Sequence, residues 1–277
     1  MLNVRNHSRD SAGMTYVYPV LSRRACGLSL GINLNVNNAC NWACVYCQVP
    51  NLTRGGPPPV NLDLLEDELR RFLNGITTGD SLRRLAPPEA QQLVDVAFSG
   101  NGEPTSAPEF AKAVERVGRV LQECGLLESV KLRLITNGSL MHRPVVRQGI
   151  AAIGALNGEI WFKLDRATAI GIERVNGIHT TPEKVRRSLL QCAELAPTWV
   201  QTCYFAIDGD EASEAERSGF REFMKSVAGK IKGVHLYGLA RPSMQPDAGR
   251  LSNLSKEDFQ RFAGSISALG IEVVANL

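Results

Sequence analysis

The stretch NNACNWACVYCQVPN, residues 37–51, places three cysteines within eight positions and brings no fourth. Cys40, Cys44 and Cys47 follow the spacing C-x3-C-x2-C inside one loop. A closed tetrahedral zinc site takes four ligands, usually as two close pairs, and neither a partner pair nor a neighbouring histidine accompanies this loop. A [4Fe-4S] cube held by three thiolates fits the spacing better, because its fourth iron is left without a protein ligand and can bind a small molecule directly. The absent fourth cysteine is therefore read as the functional feature.

Working outward, GINLNV (31–36) is strand-like and leads into the loop, which ends in the breaker-rich TRGGPPP (53–59). Leu62, Leu65, Leu69, Phe72 and Leu73 then fall on one helical face, with charged residues on the others. The unit recurs along the chain. Strand-like VDVAFSG (94–100), VKLRLIT (130–136), EIWFKLD (159–165), WVQTCYFAID (199–208), GVHLYGLA (233–240) and IEVVAN (271–276) alternate with helix-like segments near 110–121, 144–155, 182–196, 213–228 and 256–269. Such alternation implies right-handed crossovers and a parallel sheet, either open or curled into a barrel. In both, chemistry belongs at the carboxyl ends of the strands. The odd polar residues sit there: the cysteine loop, then Asn101–Thr105, Thr136–Ser139, Asp165–Arg166, Asp208–Asp210 and Arg241–Ser243. Each also has an ordinary reading as turn or helix-cap chemistry.

The chain of 277 residues is long enough for one large domain, and its formal charge of +3 is spread out. Basic pairs at Arg23-Arg24, Arg70-Arg71, Arg83-Arg84 and Arg186-Arg187 read as solvated faces rather than a nucleic-acid footprint. No apolar run reaches membrane-spanning length and the first residues lack a secretory pattern, so a cytoplasmic protein with no membrane partner is expected. Seven cysteines, three clustered and Cys26, Cys124, Cys192 and Cys203 scattered, suit a reducing compartment and a metal site better than a disulfide framework.

With the aromatic Tyr46 just before its last cysteine, the loop resembles the signature of the radical S-adenosylmethionine superfamily. Gly100-Asn101-Gly102-Glu103-Pro104 resembles that superfamily's glycine-rich segment after the second strand. FSGNGEPT, LITNGSL and ERVNGIH are most similar to the Fe-S oxidoreductase group that includes the wybutosine-synthesis enzymes. The resemblance implies an α/β fold, a partial (β/α)6 TIM-like barrel with parallel strands, as a single core domain over 28–277 behind an N-terminal extension, 1–27. It implies a [4Fe-4S] cluster on Cys40, Cys44 and Cys47 and a bound S-adenosylmethionine, cleaved reductively to methionine and a 5′-deoxyadenosyl radical that takes hydrogen from a substrate. It also implies an electron donor such as a flavodoxin or ferredoxin.

The glycine-rich segment would receive the amino group of the methionine moiety, with Glu103 as its carboxylate or, alternatively, as a cap of the turn. Gly100 and Gly102 would let backbone approach the ligand. Asn137, Lys163 and Asp165 are candidates for the ribose hydroxyls and the carboxylate, although Lys163 and Asp165 share a strand face and could pair with each other. Tyr46 would pack over the cofactor, Ile207 would stand at the adenine, and Arg241 closes the set at the sixth strand. No residue is assigned to the hydrogen abstraction. The substrate, whether small molecule, peptide or RNA, is not readable. A tRNA- or RNA-modifying enzyme and, in another class, a non-enzymatic iron-sulfur electron carrier stand as alternatives.

With one cluster and no auxiliary centre, reconstituted protein should hold about four irons per chain, and replacing Cys40, Cys44 and Cys47 together by alanine should bring that to near zero by iron and sulfide assay. A triple variant with a stable iron-sulfur absorbance would reveal a second centre.

Overall fold

The computed structural model describes residues 13–22, 27–77 and 86–277. Cys26 and the pairs Arg23-Arg24 and Arg83-Arg84 lie outside the described residues. Eight strands form one sheet: β1 (Val17–Ser22), β2 (Gly27–Ile32), β3 (Leu93–Phe98), β4 (Lys131–Thr136), β5 (Glu159–Lys163), β6 (Thr198–Cys203), β7 (Gly233–Tyr237) and β8 (Val273–Asn276). They neighbour one another in chain order, so each crossover adds its strand on the same side. β1 runs antiparallel to β2 and every later pairing is parallel. Tyr18 of β1 and Asn276 of β8 line the same cavity, so the sheet curls around it as a partial barrel.

Seven α-helices lie among the described residues: α1 (Leu62–Thr77), α2 (Phe110–Glu123), α3 (Pro144–Ala155), α4 (Ala169–Asn176), α5 (Pro182–Leu195), α6 (Glu214–Val227) and α7 (Lys256–Ser267). Their starts follow local chemistry. Thr168, Thr181, Ser213 and Ser255 cap α4, α5, α6 and α7 with side-chain oxygens, and Ser213 with Glu216 makes a reciprocal capping box. Alternation along the strands divides the two faces. In β4, Leu132 and Leu134 are buried in the core, whereas Arg133 and Ile135 line the cavity.

Three elements differ from the sequence expectation. The first strand expected over 31–36 is β2, Gly27–Ile32, because Asn33 Oδ1 accepts the backbone N–H of Asn35 at 3.1 Å and turns the chain out of the sheet. The eight-residue α4 was not anticipated. Its Gly171 weakens the helical pattern, and the capped end at Gly177 (φ 64°) marks it only once the backbone is seen. β1 was also not anticipated; it lies ahead of residue 28, where the core was expected to begin.

β1 is held from below as well as at its edge. The carboxylate of Glu68 on α1, 3% exposed, accepts the backbone N–H groups of Thr15, Tyr16 and Val17 at 2.7, 2.8 and 3.3 Å. Glu68→Ala leaves the buried Tyr16 and Val17 donors without that acceptor, and should cost about 3 kcal/mol in urea unfolding and speed proteolysis ahead of β2.

Candidate functional site

The cysteine loop has almost no regular structure of its own, so its neighbours hold it. Ala39–Cys40 makes a two-residue parallel ladder with Thr53–Arg54. On one flank the backbone N–H groups of Ala43 and Val45 donate to the carbonyls of Asn176 and Val175 at the end of α4, at 3.1 and 2.9 Å. On the other, Ser243 Oγ donates to the Val45 carbonyl (2.7 Å), Gln245 Nε2 to the Val49 carbonyl (2.8 Å), and the Met244 N–H to the Cys47 carbonyl (2.9 Å). Arg54 bridges the carbonyls of Asn41 and Gly177.

Cys40, Cys44, Cys47 and Tyr46 line a cavity of about 310 Å³ at the carboxyl ends of the strands, together with Gly100, Asn101, Gly102, Glu103, Asn137, Lys163 and Arg241. That volume is within the range of small-molecule sites. Among the described residues no three thiol, imidazole or carboxyl groups converge on a single-ion position. A cluster several bonds across takes its thiolates at wider spacing than a single ion does, and Cys40, Cys44 and Cys47 all line one cavity. Two thiols already receive N–H groups: Trp42 N donates to Cys40 Sγ at 3.5 Å and Asn176 Nδ2 to Cys44 Sγ at 3.3 Å. Asn101 Oδ1 and Gln201 Nε2, both in cavity-lining residues, are buried with no hydrogen-bond partner among the described residues. Three thiols lining a cavity whose wall residues also carry a buried unused acceptor and a buried unused donor fit a cluster with a polar small molecule beside it.

The glycines serve the loop itself. A Cβ at Gly102 would stand 2.1 Å from the Ala39 carbonyl oxygen, and one at Gly100 (φ 155°) 2.3 Å from Asn33 Oδ1. Glu103, buried, accepts from Thr105 N (3.1 Å), Thr105 Oγ1 (2.6 Å), Thr136 Oγ1 (2.6 Å) and Asn137 N (2.7 Å). Its carboxylate thus caps the turn at Pro104 and ties the segment to the end of β4. Burial pushes its carboxyl above the usual range, and these donors pull against the shift.

Asn137 Nδ2 donates to Asn41 Oδ1 at 2.9 Å, joining β4 to the cysteine loop. Asp165 is buried and accepts from Tyr46 Oη (2.5 Å), Asn176 Nδ2 (2.7 Å) and Cys203 N (2.9 Å), three separate elements held by one carboxylate. Lys163 makes no ion pair within 4.0 Å with Asp165. Its Nζ donates to Tyr237 Oη at 3.4 Å and sits 5.0 Å from the Tyr46 ring centre. Burial lowers the Lys163 pKa, but Asp165, Tyr237 and the nearby thiols more than reverse this and keep it cationic. Arg241 donates to Gln48 Oε1 at 2.7 Å. Ile207 does not line the cavity; it packs with Val175, Cys203 and Phe205 behind it.

Sequence reading missed Gln201, Tyr237, Trp161 and Asn276 in the cavity wall and the loop-supporting roles of Asn176 and Gln245, and it marked Ser243 only as a polar residue after the sixth strand. Gln201 carried a signal, a polar residue inside an apolar strand run. The supports carried none, since their partners are distant in sequence. Of the scattered cysteines, Cys203 lines the cavity, while Cys192 is buried on α5 and Cys124 caps α2.

No family model matches the chain. It is 26% identical over 228 residues to a UPF0026 protein of Helicobacter pylori (strain ATCC 700392 / 26695), covering 81% of this chain and 66% of that one. The chain thus spans just under two thirds of the length of that relative. Its fold matches TYW1 with a lysine-pyruvate adduct bound, at TM-score 0.55 and 15% identity over 97% of this chain and 79% of the other. A radical SAM methyltransferase from Sphaerobacter thermophilus matches at TM-score 0.57 and 14% identity, over 94% and 68%. With both of these solved structures the chain shares its fold. The glycine-rich segment and the cysteine loop are one packed unit, and Glu103 and Asp165 are its buried fasteners.

Burial pushes the Cys44 thiol up to about 12 and Cys40 up to about 11. Without metal both are protonated at neutral pH, and binding as thiolates must release those protons. Iron uptake by the apo-protein should therefore rise from pH 7 to pH 9, with proton release seen in weakly buffered medium; uptake independent of pH would contradict it. The raised values also set a sign for the apo fold: whatever stability these thiols contribute is complete below their ordinary pKa and is lost as pH rises through the folded values.

Proposed function

We propose that this chain is a radical SAM enzyme in which Cys40, Cys44 and Cys47 hold a [4Fe-4S] cluster. S-adenosylmethionine is cleaved there to methionine and a 5′-deoxyadenosyl radical that abstracts hydrogen from a substrate inside the curled sheet. One observation carries this reading: three thiols, Gly100, Asn101, Gly102 and Glu103 line one cavity at the carboxyl ends of the parallel strands, and two of its lining residues, Asn101 and Gln201, each hold a buried polar atom without a hydrogen-bond partner among the described residues. When bound, the cluster supplies one electron and an iron free to chelate the amino and carboxylate groups of the methionine moiety.

The chain's own residues bind, orient and exclude water. Asn101 Oδ1 offers an acceptor and Gln201 Nε2 a donor to the cofactor or substrate, and Lys163 supplies a cation for a carboxylate. Glu103 acts by holding Asn137 and the glycine-rich turn in register. Tyr46, fixed between Asp165 and Phe205, forms an aromatic wall. Below this level the cavity continues to Ser29, Asp95, Arg133 and Trp161, space for the reacting part of a substrate. The electron donor is proposed to be a flavodoxin or ferredoxin in the cytoplasm; among the described residues no helix is long and apolar enough to cross a membrane.

Anaerobically reconstituted and reduced protein given S-adenosylmethionine should form 5′-deoxyadenosine and methionine, measured by liquid chromatography and mass spectrometry, and Cys44→Ala should abolish both. A product carrying the aminocarboxypropyl fragment, or no cleavage with metabolite, peptide and RNA pools present, would overturn this reading.

A further inference from the structure

Asn176 closes α4, one residue before the left-handed Gly177, and is 1% exposed. Its amide has two hydrogens and two acceptors in reach: Nδ2 lies 3.3 Å from Cys44 Sγ and 2.7 Å from Asp165 Oδ2. The Asp165 carboxylate that orients it is itself fixed by Tyr46 Oη at 2.5 Å and the Cys203 N–H at 2.9 Å. The backbones carrying amide and thiol are bonded to each other, since the Asn176 carbonyl accepts the Ala43 N–H at 3.1 Å and the Val175 carbonyl accepts the Val45 N–H at 2.9 Å. Gly177 permits this approach: a Cβ there would meet the Ala43 carbonyl oxygen at 2.8 Å. The amide is thus held against Cys44 by both its side-chain and its main-chain partners, more than a turn-closing asparagine requires.

A neutral thiol is a weak acceptor, whereas a cluster-bound thiolate is a strong one whose negative charge grows when the cluster takes up an electron. An N–H aimed at that sulfur from a buried position stabilises the reduced state more than the oxidised one. We propose that Asn176 is a positioning residue that raises the reduction potential of the cluster through its N–H···S hydrogen bond to Cys44, with Asp165 setting its orientation. The inference rests on the iron-sulfur reading of the site. It adds a residue on α4, outside the cysteine loop, that governs how readily one electron enters from the donor. Asp165 reaches the cluster through the same amide, so the carboxylate orients a sulfur ligand as second partners orient metal-bound histidines elsewhere.

The test compares wild type, Asn176→Leu and Asn176→Asp after anaerobic reconstitution, by iron content, melting temperature and redox titration followed by electron paramagnetic resonance. Asn176→Leu removes the donor at similar volume. At the potential that reduces half of the wild-type cluster, its reduced fraction should fall several-fold at unchanged iron content. Asn176→Asp also removes the amide N–H, its carboxyl sharing a proton with the adjacent Asp165 carboxylate, and should shift the potential in the same direction. Wild type labelled with 15N-asparagine should also show a nitrogen coupling to the reduced cluster that Asn176→Asp lacks; this measurement decides if the leucine variant does not hold iron. Unchanged potentials in variants with full iron, or no such coupling in wild type, would overturn the role of Asn176 and leave the enzyme reading standing. A wild-type protein that forms no iron-sulfur cluster would overturn both.

Discussion

Two contacts between backbones that only glycine permits hold this site together. The cysteine loop lies against Gly102 on one side, where Ala39 O would be 2.1 Å from a side-chain carbon, and against Gly177 on the other, where Ala43 O would be 2.8 Å from one. A loop with no helix or extended ladder of its own cannot place three thiols by local preference. It takes its shape from the surfaces it is pressed upon, and a single added methyl group at either contact would force the backbone apart. Gly177 meets a second demand as well, since its left-handed conformation both ends α4 and turns the chain away from the loop.

Around these contacts the polar side chains form a frame whose members each join two or three elements. Asp165 links the cysteine loop, α4 and β6; Glu103 links the glycine-rich turn to β4; Asn137 links β4 back to the loop. Buried carboxylates are costly unless their lone pairs are satisfied, and Glu103 and Asp165 meet that condition with several donors each. The frame is therefore rigid and costly to perturb.

The floor of the cavity follows the same logic with different groups. Arg133 Nε donates to Glu159 at 2.7 Å while its other arm pairs with Asp95, which also accepts from Ser29. The guanidinium sits 4.7 Å from the Trp161 ring centre, and Trp161 and Trp199 enclose His235 at 4.6 and 4.5 Å. Charges facing inward are affordable because neighbouring strands place opposite signs side by side, Asp95 beside Lys131 and Arg133 beside Glu159 in register. A curled sheet with a polar interior and apolar outer face inverts the usual packed barrel and leaves room for a substrate.

The sequence by itself determined the alternation of elements, a parallel sheet and the three-cysteine loop, because hydrophobic periodicity and ligand spacing are local properties, whereas the choice between an open and a curled sheet was left to the tertiary structure. Asn101, Glu103, Asn137 and Asp165 were legible as unusual polar residues at strand ends for the same reason. What each of them touches was decided by tertiary structure. Glu103 could be read as a ligand or a cap, and only the fold brought Thr136 and Asn137 to its carboxylate. Ile207 shared a strand-like run with Gln201, yet after Cys203 the chain leaves the main sheet, so Gln201 meets the cavity and Ile207 packs behind it. Asn176 stood in the sequence only as part of ERVNGIH, and became a partner of Cys44, 132 residues away, because two backbone hydrogen bonds join the end of α4 to the cysteine loop. Side-chain periodicity is set within a few residues, whereas a hydrogen bond between distant segments depends on how every intervening crossover folds.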